Sequence, residues 1–173
     1  MKCTLENLYR LKRRRKNIMK LSEMNVMLKD DYKIELVKER VIDYASVPNL
    51  NNPEQIVQMM NDAFQADKQA EEYVYLICLN TKYKPLCVFE VSHGTGNTAV
   101  IGIREILIRA LLSGAVNLVL IHNHPSGEIT PSKEDIETTQ RLRQAAKMVG
   151  LHLTDHIIIG RKEYFSFQQQ MQI

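Results

Sequence analysis

Cysteine is scarce in this chain, and its pattern rules out a disulfide-stapled scaffold. Cys3, Cys78 and Cys87 are odd in number and none belongs to a CxxC pair. Cys78 and Cys87 sit in apolar segments and read as small buried residues. No apolar run reaches the ~18 residues needed to span a bilayer. The start, MKCTLENLYRLKRRRKNIMK, is basic but has no apolar stretch after it to make a secretory leader. Together these absences make the cytoplasm the expected location and a membrane partner unexpected. Internal repeats and low-complexity stretches are also missing. What remains is 173 residues, 45% of them hydrophobic, enough for one cored domain with a small appendage.

The formal charge of +3 hides an asymmetry. Residues 1–20 hold Lys2, Arg10, Lys12, Arg13, Arg14, Arg15, Lys16 and Lys20 against Glu6 alone, which leaves the rest with 15 basic and 19 acidic side chains. The body is mildly acidic, and the basicity belongs to the tail. A run such as KRRRK is either a solvated tail or a site for non-specific contact with nucleic acid.

The organisation follows from periodicity and punctuation. Residues 1–50 read as a basic, weakly structured or helical N-terminal extension, with Leu5, Leu8 and Leu11 at helical spacing. Within it KIELVKERVIDY shows conflicting periods, compatible with a strand or a short helix. Asn52-Pro53-Glu54 reads as an N-cap followed by proline at the first helical position, with a helix to about Asp67. From Tyr73, YVYLICLN and PLCVFEVS are β-rich runs joined by a hairpin-like NTKYK, and SHGTGNTAV is a loop. IREILIRALLSG is helical and stops at Gly114. NLVLIHNH is a buried strand, and a long helix follows from about Ser132 to Val149, stopped by Gly150. LHLTDHIIIG and KEYFSF are the last strands. This alternation predicts that residues 51–173 form an α/β domain, a mixed, curved β-sheet flanked by helices.

The chemistry concentrates in His122-Asn123-His124-Pro125-Ser126-Gly127. Alternate strand residues share a face, so His122 and His124 point the same way from a strand end. Two imidazoles there are hard to explain as core, because both would need buried partners. Asp135 falls in the first turn of the next helix, where carboxylates are common, and Ser132-x-x-Asp135 resembles a capping box. Asp135 alone would read as a helix-start carboxylate. With the histidines it completes three N/O ligands, and a fourth, open position is what a catalytic zinc site needs. The tripeptide HNH is no evidence for the nuclease class of that name, whose motif is spread over a longer stretch. The HxE…PCxxC pattern of zinc deaminases and the HExxH helix of zincins are both missing.

The spacing His122-x-His124-x7-Ser132-x2-Asp135 matches the JAMM (MPN+) metalloprotease motif. The segment HNHPSGEITPSKEDIETTQRLRQAAKMVGLHLTDHIIIG closely resembles the RadC branch of that superfamily, over roughly residues 54–167. The first 50 residues lie outside the match and show no helix-hairpin-helix repeat, so the chain is similar to a short form. The resemblance implies a layered α/β fold of the JAMM/MPN, cytidine-deaminase-like kind. It implies Zn2+ held by His122, His124 and Asp135, with Ser132 donating a hydrogen bond to the tetrahedral intermediate. It also implies a glutamate general base, for which Glu105, in the Arg-Glu pair of IREIL, leads and Glu90 follows. Many RadC sequences have proline before that pair, where this chain has Ile103. Ser92-x-Gly94-Thr95 resembles a loop that borders the substrate groove, and His93 within it reads as a surface residue. Asp155-His156 stands either behind a zinc ligand or in an ordinary sheet hydrogen bond. The expected activity is zinc-dependent hydrolysis of a peptide or isopeptide bond in a peptide or protein substrate. The alternative is a DNA-associated protein whose tail, residues 1–20, contacts nucleic acid, in line with the DNA-repair label of RadC proteins.

Overall fold

One mixed sheet organises the chain. The computed structural model describes residues 18–45, 49–94 and 101–171. Its strands are β1 (Ile18–Leu28), β2 (Ile34–Ala45), β3 (Tyr73–Leu79), β4 (Pro85–His93), β5 (Asn117–Asn123), β6 (His152–Ile159) and β7 (Tyr164–Ser166). They lie in the order β2-β1-β4-β3-β5-β6-β7. The pairs β1–β4 and β5–β6 are parallel and the other pairs antiparallel. Helices α1 (Pro53–Phe64), α2 (Ile103–Leu112), α3 (Lys133–Met148) and the short α4 (Phe167–Met171) flank the sheet, which is the α/β architecture expected. Among the described residues no helix is long and apolar enough to cross a membrane.

The sheet is covered on both faces, so β5 is buried at every position from Asn117 to Asn123, as in strands with helices on either side. On one face Ile56, Met59, Met60 and Phe64 of α1 pack against Tyr75, Ile77, Val119 and Ile121. On the other, Ile106 and Ala110 of α2 and Leu142 and Ala146 of α3 pack against Leu76, Leu118 and Leu120.

The first half of the chain departs from expectation. Residues 18–45 are not a weakly structured or helical extension. They form a two-stranded ribbon whose inner strand, β1, lies between β2 and β4 in the main sheet. Met19 and Leu21 join the core on the α1 face, while Met24 and Val26 pack on the other, so β1 is covered on both sides and lacks a simple apolar alternation. In β2 the register runs from Glu23↔Arg40 to Met24↔Lys38, which makes Glu39 an extra residue. Such a bulge reverses which face the following side chains meet. Leu36 packs on the α2 and α3 face, but Ile42 and Tyr44 pack on the α1 face. That reversal is why KIELVKERVIDY shows no single period. The basic run and the leucines at residues 5, 8 and 11 lie outside the described residues, as do residues 95–100 of the glycine-rich loop.

The helix boundaries follow local chemistry. Asn52 caps α1 by accepting from Glu54 N at 2.8 Å, with Pro53 in the first turn. The helix stops at Phe64, short of Asp67, because Gln65 turns left-handed at φ 53° and a 3-10 turn follows over Ala66–Lys68. Residue 167, expected within the last strand, begins α4.

Candidate metal centre

Two elements build the centre. β5 brings His122 and His124 to its C-terminal end, and α3 begins opposite with Ser132 as N-cap and Asp135 in the first turn. One donor atom from each of His122, His124 and Asp135 falls in a group whose members all lie within 4.8 Å of one another. His122 Nε2 is 3.0 Å from His124 Nε2 and 3.3 Å from Asp135 Oδ1. His124 Nε2 is 3.8 Å from Asp135 Oδ2. Ligand atoms held tetrahedrally at 2.0–2.1 Å from zinc stand about 3.3 Å apart, so the three atoms already have the spacing of a ligand set.

Each ligand is held from behind. The Nδ1–H of His124 donates to Glu128 O at 2.7 Å. A carbonyl only accepts, so Nδ1 carries a proton and Nε2 is the nitrogen turned inward. The Nδ1 of His122 meets His156 Nε2 at 2.9 Å, which leaves Nε2 of His122 for the centre. Asp135 is oriented by its own helix cap. Its Oδ2 accepts from Ser132 N at 2.8 Å and Ser132 Oγ at 2.7 Å, and Asp135 N donates back to Ser132 Oγ at 3.1 Å. The capping box read from the sequence is therefore complete, and it leaves Oδ1 toward the imidazoles. The Ser132 hydroxyl proton is occupied within the box.

Burial sets the electrostatics. His122 is fully buried, and the loss of solvation pushes its pKa down to about 4, the Asp135 carboxylate opposing this and His124 adding to it. His156, also fully buried, is held well below the usual imidazole range, first by burial and then by the two neighbouring histidines. Side-chain exposure rises to 18% at His124, so the cluster has a dry back and one wetter edge. The Nε2 atoms of both imidazoles and a carboxylate oxygen converge there. Two nitrogens and one oxygen are a donor set that suits a borderline metal such as zinc.

The loop between β5 and α3 closes tightly under the ligands. Gly127 adopts φ 84° and donates to His124 O at 2.9 Å. Gly160, just past β6, runs so close that a Cβ there would stand 2.7 Å from Ile129 Cγ2 and 2.8 Å from Gly127 O. His124 N in turn donates to Ile159 O at 2.9 Å. Asn123, whose side chain faces away from the ligands, pins the start of β3 by accepting from Tyr73 N at 2.8 Å and donating to Glu71 O at 2.9 Å.

The remaining candidates fall in separate places. Glu105 is in the first turn of α2, which covers the same sheet face as His122. Its exposed carboxylate bends back over Gly102 and lies 3.3 Å from Arg104 Nη1, and no hydrogen bond or ion pair joins it to the three ligands. Glu90 is on the other face, since it pairs with Tyr75, which pairs with Ile121 rather than His122. His93 is at the surface, stacked on Tyr73 at 4.0 Å, with its Nε2 against the Glu71 carboxylate. Asp155 and His156 do different work. Asp155 accepts from Ser166 Oγ at 2.6 Å and Gln168 N at 3.0 Å, whereas His156 backs His122. Sequence reasoning missed Thr139, whose Oγ1 lies 2.6 Å from His156 Nδ1 and 2.6 Å from Asp135 O. The available signal was its place four residues after Asp135 on one helical face.

Comparison with known proteins agrees with this architecture. Residues 50–172 match the family model described as RadC-like JAB domain. A UPF0758 protein of Clostridium tetani is 37% identical over 122 residues, covering 70% of this chain and 53% of its own length. One from Thermotoga maritima is 36% identical over 124 residues, 68% of this chain and 56% of its own. One from Alkaliphilus metalliredigens is 31% identical over 168 residues, 97% of this chain and 68% of its own, so its similarity extends through the β1–β2 ribbon. The chain spans about half the length of the first two relatives. With a His/His/Asp group at the place the motif requires, the chain belongs to the RadC-like JAB domain family.

Proposed function

We propose that this chain is a zinc-dependent hydrolase of peptide or isopeptide bonds, acting on a peptide or protein. The observation that carries the proposal is the convergence of His122 Nε2, His124 Nε2 and Asp135 Oδ1 at one partly open edge. Zinc bound there supplies Lewis-acid polarisation of a carbonyl and lowers the pKa of water toward ~7. His122, His124 and Asp135 would hold it, the carboxylate adding negative charge to the donor set. Ser132 fixes the Asp135 carboxylate, and its hydroxyl is free to donate to substrate only if the capping box rearranges.

Glu105 is assigned the general-base role, taking a proton on its carboxylate and returning it to the leaving nitrogen. Its helix covers the His122 face, while Glu90 stands behind the sheet. Reaching substrate requires the Glu105 side chain to leave Arg104 and Gly102, a rotation open to an exposed residue in a first helical turn.

Metal analysis of chain purified from metal-replete medium tests the proposal. About one zinc per chain is expected for the native protein and none for His124→Ala. Native chain without stoichiometric zinc overturns the reading at its first step. Against a peptide library, Glu105→Gln should keep its zinc and lose turnover, and Glu90→Gln should keep both.

A further inference from the structure

The metal ligand His122 has two nitrogens, and only one protonation pattern lets it bind a cation. The proton must sit on Nδ1 so that Nε2 is bare. His124 has this settled by a carbonyl that can only accept. The Nδ1 of His122 instead faces another imidazole nitrogen, His156 Nε2, at 2.9 Å. An imidazole can donate or accept, so that contact alone leaves the direction open.

The direction is set one residue further back. Thr139 Oγ1 is 2.6 Å from Asp135 O and 2.6 Å from His156 Nδ1, and the hydroxyl has a single proton. If it pointed at His156, two oxygens would face each other at 2.6 Å with no proton between them. The proton therefore belongs to the bond to Asp135 O, and Oγ1 is left to accept from His156. It follows that Nδ1 of His156 carries its proton and Nε2 does not. His156 Nε2 then accepts from His122 Nδ1, and the His122 Nε2 lone pair points at Asp135 Oδ1 and His124 Nε2.

We propose that Thr139 and His156 are positioning residues that set the tautomer of His122. The chain starts at the backbone carbonyl of one metal ligand, Asp135, and ends at the ring nitrogen of another, so a single helical turn of α3 supplies both a ligand and the polarity of its partner. Thr139, His156 and His122 are all buried. Phe167 stacks on His156 at 4.8 Å and 6°, which holds the ring plane. Asp155 anchors Ser166 and Gln168 on either side of Phe167. The adjacent pair Asp155-His156 thus has one member relaying the proton and the other holding the corner that orients it.

This inference rests on the zinc-site reading but has a test independent of it. Long-range 1H–15N correlation of the imidazoles in metal-free protein distinguishes the two neutral forms of His122. Wild type should show His122 with its proton on Nδ1 alone, and an Nε2 proton there overturns the proposal whether or not metal binds. Thr139→Val removes the acceptor for His156 while keeping shape. It should move the His156 proton to Nε2 and the His122 proton to Nε2. Zinc affinity, measured against a chromophoric chelator, should then fall about 10- to 100-fold. Thr139→Ser keeps the hydroxyl and should restore both readouts. A Thr139→Val protein with the wild-type tautomer and affinity would refute the relay. A wild type that has the Nδ1–H tautomer but binds no zinc would overturn the proposed function and leave the relay intact.

Discussion

Ser132 offers a way to separate the stability of the centre from its metal affinity. Its side chain does two jobs through one oxygen. As N-cap of α3 it accepts from Asp135 N at 3.1 Å, and as a donor it holds Asp135 Oδ2 at 2.7 Å. Replacing an N-cap serine by alanine costs typically ~1 kcal/mol, and by glycine only a few tenths. Losing the hydrogen bond to Asp135 adds about 1 kcal/mol, reduced because Ser132 is exposed and water can replace it. Ser132→Ala should therefore be about 1–2 kcal/mol less stable, about 3–6 °C in Tm for a chain of this size. Ser132→Gly should lose about half as much. Metal affinity should behave differently. Both variants lose the same donor to Oδ2, and Ser132 N still holds that oxygen at 2.8 Å. Both should weaken zinc binding equally, toward the lower, ~10-fold end of the effect of such supporting partners. Melting should be followed on metal-free protein, because bound metal raises Tm by mass action. The reasoning fails if Ser132→Gly binds zinc like wild type while Ser132→Ala does not, since affinity would then follow the cap and not the hydroxyl.

Gly160→Ala should push the loop under the ligands outward, because its new methyl has only 2.7 Å to Ile129 Cγ2 and 2.8 Å to Gly127 O. A cost of about 1–3 kcal/mol with weaker zinc binding is expected, and native melting and native affinity together would refute the packing argument. Metal-free protein should also lose stability as pH falls from about 6.5 toward 4. The folded-state pKa values of His122 and His156 are depressed below the unfolded ~6.5, so over that window the unfolded chain binds more protons. Each such proton contributes a slope of about 1.4 kcal/mol per pH unit. Urea midpoints at fixed steps through this range would show it, and His156→Leu should flatten the slope.

What the sequence makes visible here is what lies close along the chain. His122 and His124 are two apart on one strand, so alternation alone aligns them. Ser132 and Asp135 are three apart at a helix start, where capping chemistry has a fixed spacing. The distance between the two pairs is spanned by a short loop, which makes the ligand set readable as one motif. Features that depend on sheet register are hidden. The β1–β2 ribbon escapes notice because β1 is covered on both faces and Glu39 reverses the alternation of β2. Glu90 and Glu105 look equivalent in one dimension, and only the pairing of Glu90 with Tyr75 puts it behind the sheet.

The backing of His122 is the sharpest case. Leu118 pairs with Leu153 and Val119 with Asp155, so Thr154 is an extra residue in β6. Before it Leu153 packs on the α2 and α3 face, and after it Ile157 and Ile159 pack on the α1 face. The bulge is what turns His156 toward His122 and Thr139, and sends the odd-numbered isoleucines to the opposite core. A strict alternation through LHLTDHIII would have put His156 on the face of His152 and Thr154, away from Leu151 and Leu153. One unpaired residue, local in sequence yet defined only by the neighbouring strand, therefore decides whether a buried histidine stands behind the metal ligand, which is why the relay becomes readable only once β5 and β6 are paired.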